Sequence, residues 1–375
     1  MPLKTNETEY LLHLVVCALK GERAQNIEGV DFCALFEIAK EQEIFNLIND
    51  VVQSSDFVDD KAKALFKNQT MSEKSKMIAL GAQRKIICEK FTENKIAFMP
   101  LKGLIFKDYY PKESMRQMSD NDILIDETKR EEAAEIMKGL GYKPFDTTQN
   151  SDDFFKDPFY TFELHRSLFD DESEFSPRFG DVWQNAERDK ENEFLYHMNK
   201  NDVYIYSVCH MFQHYITCCC GIRFLVDNYF FLLKEEKNLD WEYIYSQLEK
   251  NSLLEYEKQT RNLVFKVFEN RELSPEEKSL LKNYTDFGIY GSGEGKILQT
   301  YLSVSQGNSE SGAQFKYILR RLFPSKKDML FNYPFLEKKP WLTPFMLVHR
   351  IFKGLFNIRK TRAELESVKQ IKKKN

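Results

Sequence analysis

An Asp-Asn-Asp triplet, Asp120 to Asp122, runs without a break into the apolar triplet Ile123-Leu124-Ile125. No other stretch constrains the fold as tightly. A short apolar run after polar residues reads as a buried strand. Side chains alternate along a strand, so Asp120 and Asp122 project to one side and Asn121 to the other. Their Cα atoms then lie about 6.5–7 Å apart, the rise of two strand residues. Carboxylates so placed can converge on a hard cation such as Mg²⁺, which takes oxygen ligands and pairs with substrate phosphates.

The neighbouring sequence supplies further parts. Ile96 to Leu101 reads as a preceding strand, and Lys102-Gly103 follows it at the start of a short helix. A strand-to-helix junction of this kind offers backbone amides to phosphate. Gly103 would allow close approach and Lys102 would add a point charge. Arg116 can clamp a phosphate through two parallel hydrogen bonds, or can neutralise the nearby aspartates. A third carboxylate, Glu163, lies in the aromatic-rich run Phe159 to His165, which reads as a strand. On period 2, Thr161, Glu163 and His165 share a face. Three carboxylates on adjacent strands repel unless a cation joins them. His165 is read as a half-buried strand histidine that could position Glu163 or an acceptor. By the same repulsion argument, Asp122→Asn is expected to abolish activity and to stabilise the metal-free protein.

Five separated motifs occur in order: Leu101-Lys102-Gly103, Tyr110-Pro111, Arg116 to Asp122, Gly141-Tyr142 and Glu163-Leu164-His165. Further on come His210 and His214 on one helix, then Gly221, Arg223, Leu225 and Asp227. Together they resemble the uncharacterised nucleotidyltransferase family of the polymerase-β superfamily, over roughly residues 8–255. The resemblance implies an α+β fold, with a small mixed-sheet nucleotidyltransferase core flanked by helical segments. It implies transfer of a nucleoside monophosphate from an NTP, with ATP as donor, to an acceptor hydroxyl. It implies Asp120, Asp122 and Glu163 as catalytic residues and as ligands of Mg²⁺ or Mn²⁺, and Lys102, Gly103 and Arg116 as contacts to the nucleotide. Two residues depart from the superfamily pattern: Lys102-Gly103 stands where Gly-Ser or Gly-Gly is usual, and Glu163 where Asp is common.

The rest of the chain organises around this centre. Residues 1–95 read as a helical leading segment, 96–200 as the core, 201–303 as a helical domain completing the cleft, and 314–375 as a basic helical tail. Residues 55–71 read as a polar connector before a helix from Ser72 to Glu93 that stops at Asn94. Thr128 to Glu131 has the spacing of a capping box, and Asp240 suits a helix N-cap. Residues 146–157 read as an acidic loop. Arg223 and Asp227, at i and i+4, read as a helix ion pair or as lining of the cleft. His210, His214 and Cys218 to Cys220 have spacing compatible with zinc, but equally with ordinary helix packing. The glycines from Gly288 to Gly295 lack a phosphate-loop spacing and read as a plain loop.

Charge is distributed unevenly. The chain of 375 residues carries a net charge of −4. Residues 316–375 hold sixteen Lys/Arg and four Asp/Glu, so the tail is strongly basic and the remainder acidic. This composition suits a weak contact with an anionic surface, through an amphipathic segment at 345–356, or with the protein's own acidic body. It supports the alternative of a non-catalytic interaction or membrane-surface protein that keeps the fold. Nucleic-acid binding is not indicated. No apolar run reaches the ~20 residues of a membrane span. Seven cysteines, an odd number with three in a row, suit a reducing cytoplasm better than a disulfide framework.

Overall fold

A computed structural model describes residues 5–169, 175, 182–217, 220–286 and 288, and beyond these 329, 333, 336 and 339–347. The chain divides into two compact units, one of residues 1–212 and 221–289, the other of 213–220 and 290–375. The first unit holds every element discussed below apart from the last turn of one helix. Residues 304–313, between the expected helical domain and the basic tail, and nearly all of the tail itself lie outside the described residues.

Four helices lead: α1 (Thr5–Lys20), α2 (Phe32–Glu41), α3 (Phe45–Ser54) and α4 (Asp60–Glu93). The start of α2 is fixed by Asp31, whose carboxylate accepts from the amides of Cys33 and Ala34 at 3.0 and 3.1 Å, satisfying donors that the helix itself cannot. The polar connector expected at 55–71 is instead mostly helix. Asp59 caps α4 by accepting from the Ala62 amide, and Ala62, Phe66 and Thr70 bury one face at spacings of four. That sparse stripe was hidden by the lysines between its members. The helix ends at the expected place, but the left-handed residue is Lys95, with φ of 55°, rather than Asn94.

The sheet follows: β1 (Phe98–Pro100), the one-turn helix α5 (Gly103–Phe106), β2 (Asn121–Ile125), α6 (Arg130–Gly139), β3 (Lys143–Thr147), β4 (Ser151–Lys156) and β5 (Tyr160–His165). The strands lie in the order β1-β2-β5-β4-β3. β2 and β5 run parallel, and every other pair in this sheet is antiparallel. The fold is therefore α+β with a mixed sheet. β4 falls inside the expected acidic loop. Its Asp152 is held by Arg130 and Arg166 at 2.7 and 2.8 Å, so a charged residue enters the strand with its charge compensated. The expected capping box at Thr128 does not form. Asp126 takes both the amide and the hydroxyl of Thr128, at 2.9 and 2.7 Å.

A short hairpin, β6 (Glu187–Arg188) with β7 (Tyr196–His197), leads into α7 (Lys200–Thr217) and α8 (Ile222–Glu235). Then come α9 (Trp241–Lys250), capped by Asp240 as expected, α10 (Leu254–Phe268) and α11 (Pro275–Thr285). The two faces of the sheet enter two cores. Ile123, Ile125, Phe162 and Leu164 pack with Ile87 and Phe91 of α4 and Met137 of α6. Met99, Leu101 and Leu124 pack with Ile205, Tyr206 and Cys209 of α7 and Phe231 of α8. Asp122 shares its side of β2 with Leu124, so it points toward the α7 side of the sheet. No helix among the described residues is long and apolar enough to cross a membrane.

Candidate active site

The parallel pairing of β2 with β5 sets Asp122 directly opposite Glu163, and Leu124 opposite His165. Glu163 and His165 are two residues apart and face the same way, so both reach Asp122. The His165 Nε2 lies 2.9 Å from Asp122 Oδ1 and 3.3 Å from Glu163 Oε2. When Nε2 carries the proton it donates to Asp122; when Nδ1 carries it, the bare Nε2 faces the two acids and can ligate a cation. The other ring nitrogen, Nδ1, is buried and has no hydrogen-bond partner among the described residues.

Lys102 enters this group from across the sheet. β1 lies antiparallel to β2, which brings the residue just past the end of β1 beside Asp122. The backbone there is unusual, with φ of 46° at a non-glycine residue, a conformation that side chains with a Cβ seldom adopt. The Lys102 Nζ is 2.6 Å from Asp122 Oδ1, 3.5 Å from Glu163 Oε2 and 3.5 Å from His165 Nε2. The repulsion expected among the acids is therefore relieved by an ammonium that the chain itself supplies.

The electrostatics follow from these contacts. Burial works against an ionised Asp122, but Lys102 and the His165 hydrogen bond outweigh it and hold its carboxyl far below the usual range. Asp120 is in the opposite situation. It precedes the strand, and among the described residues it has no ion pair or hydrogen bond. Burial, then the charges of Asp122 and Glu163, push its carboxyl up to about 7. Burial lowers Lys102, but Asp122 above all raises it well past its ordinary value. Burial and Lys102 oppose charging of His165, yet its bonds to Asp122 and Glu163 leave its pKa raised. Burial raises the phenol of Tyr206 on α7, Lys102 pulls it back, and Asp122 and Glu163 add to the rise.

The oxygen and nitrogen ligand atoms of Asp122, Glu163 and His165 all lie within 4.8 Å of one another. They fit a divalent cation, and the ammonium already seated among them marks where positive charge is favoured. Asp120 is not one of these converging ligands, whereas His165 is. The clue was in the sequence, because His165 sits at i+2 from Glu163, but its partnership with Asp122 depends on strand pairing that spacing alone does not reveal.

Arg116 and Gly103 have other neighbours than the phosphates expected for them. The Arg116 guanidinium is buried and forked on Asp227 of α8, with Nε and Nη2 at 2.9 and 2.8 Å from its two oxygens. Tyr110 donates to the same carboxylate at 2.8 Å. The space beside Gly103 is taken by this arginine: a Cβ there would lie 2.5 Å from Arg116 Nη1 and 2.8 Å from Met118 Sδ. The helix after Gly103 is a single turn, and the amides of Leu104, Ile105 and Phe106 already donate to Leu101 and Lys102 carbonyls. Arg223 and Asp227 do not pair with each other. Arg223 bonds Glu43 of the α2–α3 turn, and Glu43 also accepts from Ser119 at 2.8 Å. Asn46 of α3 donates to the Ser114 carbonyl at 2.9 Å. The α2–α3 turn, α3 and α8 thus hold the segment 113–120 that leads to Asp120 and Asp122. On the far face, Asn121 accepts from Arg84 of α4 at 2.9 Å.

The zinc reading gains no support among the described residues. His210 packs beside the rings of Tyr206 and Phe224, Cys220 is buried, and Cys218 and Cys219 lie outside the described residues. The glycine loop of 288–296 is outside them too, apart from Gly288.

A family model described as uncharacterised nucleotidyltransferase matches residues 28–269, a span that contains the whole cradle and all of its supports. No curated protein and no solved structure matches the chain. The parallel strand pair carrying Asp122 and Glu163 and the match over most of the chain agree, and the chain belongs to the uncharacterised nucleotidyltransferase family.

Proposed function

We propose that this protein transfers a nucleoside monophosphate from an NTP, with ATP as donor, to an acceptor hydroxyl on a small molecule or a protein, in a cytoplasmic setting. The observation that carries this reading is the register of β2 against β5, which sets Asp122 against Glu163. Asp122, Glu163 and His165 would hold a divalent cation, Mg²⁺ or Mn²⁺, with Asp120 beside them available to a second ion. A bound ion would supply charge neutralisation of the triphosphate and of the departing oxygen.

The chain's own residues account for the rest. The acceptor oxygen would bond to the α-phosphorus as the bond from phosphorus to the bridging oxygen breaks, and pyrophosphate would leave. Glu163, the more exposed of the paired acids, would take the hydroxyl proton. Lys102 supplies the mobile positive charge for a phosphate. Arg116 and Gly103 serve the site indirectly, by fixing the loop that carries Asp120. The burial on the α7 side limits water, which strengthens each of these interactions.

Incubating the protein with Mg²⁺ and ATP labelled at the α-phosphate, alongside an extract, tests this. Label should move to an extract component with wild type and not with Asp122→Asn. Label that stays in ATP, or moves equally with both proteins, contradicts the reading. The family match supports nucleotidyl transfer in general. Of the basic tail, on which the non-catalytic alternative rested, only 329, 333, 336 and 339–347 are among the described residues, and most of the segment 345–356 lies outside them.

A further inference from the structure

The cradle already contains a cation. The Lys102 ammonium touches the same three side chains that converge as candidate metal ligands: Asp122 at 2.6 Å, Glu163 at 3.5 Å and His165 at 3.5 Å. A metal ion and this ammonium cannot share that space, because the ligand atoms span at most 4.8 Å. We propose that Lys102 is the resident cation of the site, and that a divalent ion binds only by exchange with it on Asp122, Glu163 and His165. The inference rests on the metal-dependent reading above and adds a step that the reading does not contain.

The attachment of Lys102 suits exchange. An ammonium is a compact point charge on a flexible stem, without the paired geometry that locks a guanidinium onto a carboxylate. The side chain is a quarter exposed, and Nζ would leave the cradle on that exposed side. Once outside, it would sit at the mouth of the site, where the triphosphate of a metal-bound nucleotide brings negative charge. Metal and nucleotide would then support each other: the ion expels the lysine, and the lysine finds its new partner on the phosphates. Without nucleotide the lysine returns, so an empty site is held closed against stray cations.

The consequence for affinity is arithmetic. A ligand that binds only the fraction of molecules with an open site has its apparent affinity reduced by that fraction. If the ammonium is out of the cradle in about one molecule in ten or fewer, removing it should tighten metal binding about tenfold or more. Mn²⁺ is the suitable probe, since it accepts carboxylate oxygens and is counted directly by electron paramagnetic resonance.

Mn²⁺ alone, without nucleotide, is titrated into wild type, Lys102→Met and Lys102→Arg. The expected order is Lys102→Met at least tenfold tighter than wild type, with Lys102→Arg no tighter than wild type. Equal Mn²⁺ binding by wild type and Lys102→Met overturns the exchange while leaving a metal site in place. No binding by any of the three removes the metal site, and the exchange with it. A second measurement needs no variant. Reductive methylation of wild type, mapped by mass spectrometry, should modify Lys102 several-fold faster at saturating Mg²⁺ than without it. An unchanged rate at a Mg²⁺ concentration that shifts the melting temperature overturns the proposal.

Discussion

Arg116 and Asp120 lie four residues apart in the sequence, and the charge clusters they enter are built on opposite principles. In the Arg116–Asp227 pair the fork of the guanidinium meets both carboxylate oxygens at 2.8 and 2.9 Å, and Tyr110 adds a third bond. Both charges are buried and matched one to one. In the cradle, one lysine serves Asp122 closely and Glu163 distantly, a histidine bridges the two acids, and Asp120 stands beside them with no cation of its own. A planar fork on a carboxylate is directional and complete. A single ammonium among several acids is neither. The first arrangement makes a permanent joint between the loop of residues 113–120 and α8. The second leaves a site whose charge can be rearranged by what enters it.

The largest effect should come from breaking the joint. Asp227→Asn strands a buried guanidinium, and losing one partner of such a pair costs about 3–5 kcal/mol. Chemical denaturation should show that loss with and without Mg²⁺, since the site is not what has been damaged. Full recovery of stability on adding Mg²⁺ would mean that the two clusters are not independent. Gly103→Ala attacks the same joint from the other side. The new methyl would meet Arg116 and Met118, and crowding of this kind costs about 1–3 kcal/mol. Retention of wild-type stability would show that the arginine can move aside.

The cradle should respond differently. The sequence argument expected Asp122→Asn to stabilise the metal-free protein by relieving repulsion. The structure reverses that expectation, because Asp122 is the acid that Lys102 and His165 hold. Its removal should cost the metal-free protein about 1–3 kcal/mol, the range for buried polar groups left without partners. Asp120→Asn takes away a like charge and no ion pair, so it should leave stability unchanged or raise it slightly. A thermal melt of the two variants without metal ranks them. Greater loss in Asp120→Asn would contradict the assignment of partners.

The contrast also explains what was legible in the sequence. The strand at Ile123 to Ile125 and the strand holding Glu163 announced themselves through apolar runs and period-2 alternation. The spacing of the two aspartates placed Asn121 on the opposite face, where Arg84 now holds it. The partnerships were not legible. Arg116 lies 111 residues from Asp227, and nothing local links them. The alternative partner for Asp227, Arg223 at four residues' distance, was the natural choice on a helix, yet it is drawn to Glu43. Lys102 had a reasonable role at a strand end, but its place among the acids follows from β1 folding back on β2. β4 was missed because Asp152 and Asp153 make it look like a loop, and the compensating arginines come from α6 and from just past β5.

Asp152 supplies the smallest prediction and the one set by pH. Burial would raise its carboxyl, but the hydrogen bonds and charges of Arg130 and Arg166 hold it below the usual value. A carboxylate whose folded pKa lies below its unfolded one contributes stability above the unfolded value and loses it as pH falls through the folded one. Wild type should therefore lose this contribution below about pH 4, the unfolded range for aspartate. Asp152→Asn should show a shallower decline in melting temperature on acidification. Parallel declines in the two proteins would mean that the pair on β4 adds nothing to acid sensitivity.

The most direct test of the site is a thermal-shift comparison of wild type and Asp122→Asn, each with and without Mg²⁺ and ATP. A ligand that binds only the folded state at one hundred times its dissociation constant stabilises by about 2.7 kcal/mol. Wild type should rise by several degrees with Mg²⁺-ATP, and Asp122→Asn, already lower without ligand, should barely move. Equal shifts in the two proteins would show that Asp122 does not hold the metal nucleotide, and would contradict the account at its centre.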